Sequence, residues 1–118
     1  MDDETLYMTM LFDFFGELLT EKQREYFDLY HNEDLSLSEI AERAGISRQG
    51  VYDIITRAEK SLVQMENKTG VVGKWLRTRN ELQRAETIAN ELIRMTHGHG
   101  ESAELVKELV LSLEELKN

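Results

Sequence analysis

The chain has no cysteine and no proline among its 118 residues. Without cysteine, neither a disulfide nor a thiolate metal site can form, which suits a cytoplasmic protein. Proline is ordinarily ~5% of a chain, and its absence removes the residue that most firmly breaks helices. Long apolar runs are also missing. None approaches the ~20 residues of a membrane-spanning helix, so no membrane insertion is expected. The N-terminus opens with acidic residues, where a secretory signal would open with basic ones, so no signal is expected. Catalytic patterns are lacking as well. There is no G-x-x-x-x-G-K-S/T phosphate loop, no H-E-x-x-H and no G-x-S-x-G. The many carboxylates fall at helix-surface positions, so neither an enzyme nor a cofactor is expected.

Basic charge is the next shortage. The formal net charge is −9. Residues 1–19 hold five acids and no base, residues 20–65 nine acids and six bases, residues 66–95 four acids and six bases, and residues 96–118 five acids and two bases. Non-specific phosphate binding should therefore be weak, because it scales with the number of phosphates neutralised.

Helical periodicity is what the chain has throughout, and it predicts an all-α protein. The organising stretch is S-L-S-E-I-A-E-R-A-G-I-S-R-Q-G-V-Y-D-I-I-T-R, Ser36 to Arg57. Ser36 and Glu39 have capping-box spacing, so a helix should begin at Leu37. Gly45 can take the left-handed conformation that ends it, with Ile46 plugging the turn. Ser47 is a second N-cap, and Val51, Ile54, Ile55, Ala58 and Leu62 make an apolar stripe behind it. A small Ala41 four residues before Gly45, and Val51 six after it, fit a helix-turn-helix. The plain alternative is two core helices joined by a tight turn.

Around this unit the expected elements are simple. Residues 4–18 form a first helix with two neighbouring stripes, Leu6–Met10–Phe14–Leu18 and Tyr7–Leu11–Phe15. Thr20 with Gln23 opens a buttressing helix that brings Tyr26, Phe27 and Tyr30 to the core and ends at a structural His31. The helix from Arg48 should run to about Lys68 and tolerate Gly50 near its start. Gly70 and Gly73 bracket a break. A long helix, Trp75 to Met95, then carries a short seam of Leu82, Ala85, Ala89 and Leu92. His97–Gly100 reads as a solvated turn, since two histidines alone do not hold a metal. A last helix presents Val106, Leu109, Val110, Leu113 and Leu116, and its charged residues, Lys117 included, are expected to be solvated. The last two helices should pair as a hairpin. The expected division is a helix-turn-helix domain over 1–69 and a packing or dimerisation hairpin over 70–118.

The segment from Leu19 to Leu62 resembles region 4 of bacterial sigma factors. Leu19, Thr20 and Arg24 match its L-T-x-x-x-R opening, followed by L-S-x-x-E-I-A-type and S-R-x-x-V-type helices. The runs E-K-Q-R, D-L-S-L-S-E-I-A and I-S-R-Q-G-V-Y-D resemble more closely the YlxM family of small bacterial proteins, which usually has Ala where this chain has Gly50. The resemblance implies a DNA-binding regulatory protein of sigma region 4-like fold, with no wing. It also implies a link to the signal recognition particle (SRP) and its GTPase.

Candidate contacts follow from the outward positions of the third helix: Arg48, Gln49, Tyr52, Asp53 and Thr56, flanked by Arg57 and Lys60. Arg pairs with guanine and Gln with adenine in a major groove, and Arg57 and Lys60 suit phosphates. Asp53 opposes phosphate but can accept from cytosine. Two other roles fit the sequence. One is an adaptor whose acidic surface and apolar first helix, or hairpin, meet a basic protein. The other is binding to the particle's RNA through Lys74, Arg77, Arg79 and Arg84. The surplus of apolar residues on the first helix, with the Leu82–Leu92 seam, predicts a homodimer.

Overall fold

A computed structural model describes residues 3–117. Its helices are α1 (Asp3–Phe15), α2 (Glu21–His31), α3 (Leu37–Ala44), α4 (Arg48–Thr69), α5 (Val71–Met95) and α6 (Glu101–Lys117), with a 3-10 turn over Gly16–Leu18. No strand occurs among the described residues. The chain divides into two compact units, Met1–Val72 and Gly73–Asn118.

In the first unit each helix start after α1 is written in a side chain. The Gln23 N–H donates to Thr20 Oγ1 at 3.2 Å, and the Thr20 N–H donates back to Gln23 Oε1 at 3.1 Å. Ser36 and Glu39 make the same reciprocal pair at 3.1 and 3.0 Å. Both boxes satisfy backbone donors that the first turn of a helix leaves without partners.

Two apolar clusters hold the unit together. Leu11, Phe15, Leu19, Phe27, Ala58, Leu62 and Val72 form one. Tyr26, Ile40, Ala41, Val51 and Ile55 form the other. α2 and α4 contribute to both, so α4 is the beam against which α1, α2 and α3 pack. Phe12 stacks on Phe27, with ring centroids 4.7 Å apart. His31 ends α2, its ring 4.3 Å from that of Phe27 and its Nε2 3.9 Å from Glu59 Oε2.

Several expectations need correction. On α1 Leu11 and Phe15 turn inward, with Met8, Met10 and Phe12 partly buried beside them, while Tyr7 is 39% exposed. Leu6 and Leu18 are 50% and 70% exposed, and Phe14 is 38% exposed. Tyr30 also stays at the surface, edge-on to His31. Ile46 is 38% exposed and only partly fills the turn. The break after α4 is one residue rather than four. Gly70 ends α4 in the left-handed conformation, and α5 starts at once because Val72 is buried with the α1–α4 cluster. The Val72 N–H donates to Glu66 Oε1 at 2.9 Å, which caps the new helix from the end of the old one.

The second unit is a helical hairpin. Lys117 Nζ reaches back from the end of α6 to Glu86 Oε2 at 2.6 Å and Gln83 Oε1 at 3.0 Å on α5. Lys117 is thus a strut, not a solvated end. The turn between the helices places His97, Gly98 and Gly100 at positive φ. Its buried residues are few: Ala89, Ala103 and Leu113. The Leu82–Leu92 seam is only partly internal, with Ala89 buried, Leu82 and Ala85 half-buried and Leu92 46% exposed. On α6, Leu109 and Leu116 face outward.

Candidate nucleic-acid interface

The helix-turn-helix is built by α3, the turn at Gly45–Ser47 and α4. Gly45 has φ 70° and ψ 29°, the left-handed region that glycine enters without a Cβ penalty. The Gly45 and Ile46 N–H groups both donate to the Ala41 carbonyl, at 2.9 and 3.2 Å. Ala41 and Ile40 are buried where α4 crosses, and Val51 and Ile55 meet them from the other side. Small Ala41, left-handed Gly45 and buried Val51 therefore do together what their spacing requires.

Ser47 starts α4 by accepting from the Gly50 N–H at 2.9 Å. A Cβ on residue 50 would sit 3.1 Å from Ser47 Oγ and 3.6 Å from Ile46 Cδ1. Gly50 thus lies under the cap, and its lack of a side chain relieves a tight contact.

The inward face of α4 is Val51, Ile55, Ala58 and Leu62, all buried. The seven candidates Arg48, Gln49, Tyr52, Asp53, Thr56, Arg57 and Lys60 are all exposed. At 100° per residue, Gln49, Asp53, Thr56 and Lys60 share the face opposite the core, with Tyr52 at its edge, while Arg57 and Arg48 lie around its two sides. Arg48, Gln49 and Tyr52 line a shallow depression together with Leu37. Leu37 was missed in the sequence. It is the first residue of α3, and the signal was available, since the start of the first helix lies beside the start of the second.

Two features set the chemistry of this face. Gln49 Nε2 donates to Asp53 Oδ1 at 2.9 Å, so part of the Gln49 amide is already engaged. At the start of α3, hydrogen bonds from the Ser36 backbone N–H and hydroxyl, with Arg43 nearby, hold the Glu39 carboxyl below the usual range. That helix end is occupied by the protein's own anion.

The four basic candidates of α5 are exposed, and Lys74, Arg77 and Arg84 fall on one face at 100° per residue. Arg77 and Arg84 are seven residues apart and share a face with Glu81 between them. Arg79 points nearly the opposite way, its guanidinium 4.9 Å above the Trp75 ring. Among the described residues no group of three or more His, Asp or Glu is placed to hold a metal.

Comparison with known proteins places this architecture. A family model described as "UPF0122: Putative helix-turn-helix protein, YlxM / p13 like" matches residues 2–106. The UPF0122 protein of Thermoanaerobacter sp. (strain X514) is 45% identical over 116 residues, 98% of each chain. That of Acetivibrio thermocellus is 42% identical over 116 residues, 97% of each chain. That of Geobacillus kaustophilus is 43% identical over 109 residues, 92% of this chain and 96% of the relative. With an all-α helix-turn-helix on the page and relatives matched along almost their whole length, the chain belongs to the UPF0122 family of YlxM / p13-like helix-turn-helix proteins.

Proposed function

We propose that this protein is a DNA-binding regulator of the bacterial cytoplasm that works as a homodimer and takes part in the SRP pathway. One observation carries the DNA reading. The second helix of the helix-turn-helix has a fully buried inner face and an outer face of exposed polar side chains, Gln49, Tyr52, Asp53 and Thr56, with Arg48 beside them. A recognition helix that enters a major groove needs this division. Arg48 and Gln49 supply base-edge contacts, and Arg57 and Lys60 reach phosphates. The SRP link rests on the family resemblance alone. The test is a selection of genomic fragments by the purified protein at low salt. Enrichment of a discrete sequence, lost in Arg48→Ala, is expected. No enrichment, together with intact cellular function of Arg48→Ala, overturns the reading.

A second reading is an adaptor for a basic protein such as the SRP GTPase. It is favoured by exposed Leu6, Tyr7 and Leu18 in a stretch whose only charges are acidic. A pull-down split with and without nuclease separates the two. Recovery of the GTPase after nuclease supports the adaptor. Recovery of SRP RNA instead directs attention to Lys74, Arg77, Arg79 and Arg84.

A further inference from the structure

The second unit exposes more large apolar side chains than it buries. Ile88, Leu92 and Met95 on α5 are 55%, 46% and 64% exposed, and Leu105, Leu109 and Leu116 on α6 are 61%, 50% and 68% exposed. These are not scattered residues. Ile88, Leu92 and Met95 step by four and three, and Leu105, Leu109 and Leu116 by four and seven, so each set is one stripe on its helix.

The two stripes open to the same side. On α5 the exposed stripe lies about a quarter turn back from the inward line of Leu82, Ala85 and Ala89, at 100° per residue. On α6 it lies about a quarter turn back from the line of Ala103, Val106, Val110 and Leu113 by the same count. Because the helices run antiparallel, equal rotations against the winding direction point to one face of the hairpin. Between Ile88 and Met95 and between Leu105 and Leu116 the only polar position on the stripes is Ser112; toward the start of α5 the same line continues into Arg84 and Glu81. Two helices can bury one line of side chains each. A second apolar line on both needs another apolar surface to cover it.

We infer that this face, Ile88–Leu92–Met95 with Leu105–Leu109–Leu116, binds the same face of a second copy of the chain and closes a four-helix bundle. The inference rests on the homodimer proposed above and assigns its interface. Charge selects the occupant. Residues 73–118 hold eight acids and seven bases, so two hairpins meet without net repulsion. Residues 1–72 hold fifteen acids and seven bases, which opposes self-association through the first unit. Nucleic acid and anionic lipid are poor occupants of the apolar stretch, since its six apolar side chains offer no cation, Arg84 at its edge stands beside Glu81, and α6 carries Glu101, Glu104, Glu108, Glu114 and Glu115. A face that is apolar from Ile88 to Met95 and from Leu105 to Leu116 complements itself, and a two-fold pairing closes without leaving a copy of it exposed.

The test is sedimentation equilibrium of the full chain at tens of micromolar, paired with thiol labelling. The wild type should sediment at twice 13.7 kDa. Leu109→Glu should weaken dimerisation about a hundredfold or more, since it buries two unpaired carboxylates. Circular dichroism checks that the variant stays helical. The absence of native cysteine permits a second readout that needs no disruptive charge. A Leu109→Cys thiol should react slowly with maleimide at high protein concentration and faster on dilution, while Asn90→Cys should react fast throughout. A 13.7 kDa wild type overturns both the dimer and its interface. A dimer that persists in Leu109→Glu, with a Leu109→Cys thiol that labels fast at every concentration, overturns this interface and leaves the dimer standing. Protection that does not change on dilution shows that the chain covers the face itself, and also overturns the inference.

Discussion

Gln49 donates its amide to Asp53 one turn later on the same exposed face, at 2.9 Å. An amide that reads adenine needs both its donor and its acceptor directed at the base. Here the donor is turned toward a carboxylate that itself repels phosphate. Asp53→Ala should therefore do two things at once. It frees the Gln49 amide and removes a negative charge from the face. Tighter binding to DNA of any sequence is expected, with a steeper dependence on salt, measured by titration at two ionic strengths. If Asp53→Ala binds more weakly, Asp53 accepts from a base and the pair is part of the readout. Gln49→Ala should lower discrimination by ~1–3 kcal/mol while leaving non-specific affinity nearly unchanged.

Gly45 gives a cleaner test of the turn. A Cβ placed there meets nothing within 4 Å, so any cost of substitution is conformational and not steric. Gly45→Ala should destabilise the unit by about 1–2 kcal/mol, the cost of a left-handed L-residue. Gly45→Val should cost more, because a β-branched side chain fits that region worst. Urea melts of the three proteins check this. Equal midpoints would mean that the turn can relax out of the left-handed conformation.

The Glu39 cap predicts a pH dependence with a definite sign. Its carboxyl is held below the usual range in the folded chain, so the ionised form favours the folded state. That contribution is present above the ordinary glutamate pKa of ~4.3, and it is lost as pH falls through the lower folded value. Glu39→Gln keeps an oxygen acceptor for the Ser36 N–H but cannot titrate. The stability difference between wild type and variant should be constant near neutrality and fall away in acid. The Thr20–Gln23 box has no ionisable group and should be insensitive to the same change. A difference that stays flat down to strongly acidic pH refutes the assignment.

Gly50 sits under the Ser47 cap, which couples the two positions. Gly50→Ala should stabilise α4 through helix propensity, but by only about 0.5 kcal/mol because the new methyl crowds Ser47 Oγ. Ser47→Ala alone should cost about 1 kcal/mol by loss of the cap. With Ser47 already Ala, the gain from Gly50→Ala should be larger. A double-mutant cycle by thermal melts measures that coupling.

Most of the first unit was legible in the sequence because its signals are local. Thr20 with Gln23, Ser36 with Glu39, and Ser47 each mark a helix start within four residues, and Gly45 marks a stop. The choice between the two apolar stripes of α1 was not legible. Both carry comparable side chains, and the decision is tertiary, made by Phe12 stacking on Phe27 and by Leu11 and Phe15 meeting Ala58 and Leu62. The length of the break at Gly70 was hidden for a similar reason. Gly73 looks like a second stop, yet Val72 must be buried and Glu66 caps its N–H, so the chain resumes a helix at once. In the hairpin the spacing of Leu82, Ala85, Ala89 and Leu92 mixed an inner line with an outer one, because both repeat at three and four. Lys117 looked like any terminal lysine until α6 folded back to Glu86. On the candidate interface, the face of α4 could be read from its period, but the Gln49–Asp53 pair and the nearness of Leu37 needed coordinates.

The division of α4 into a wholly buried face and a wholly exposed one has an evolutionary consequence. Val51, Ile55, Ala58 and Leu62 tie the helix to both clusters, so changes there are tested by folding. Gln49, Asp53, Thr56 and Lys60 on its far side can be exchanged with little effect on the scaffold, so changes there are tested only by what the protein touches. Target choice can drift quickly while the architecture stays fixed. Relatives that fold alike need not share a binding site.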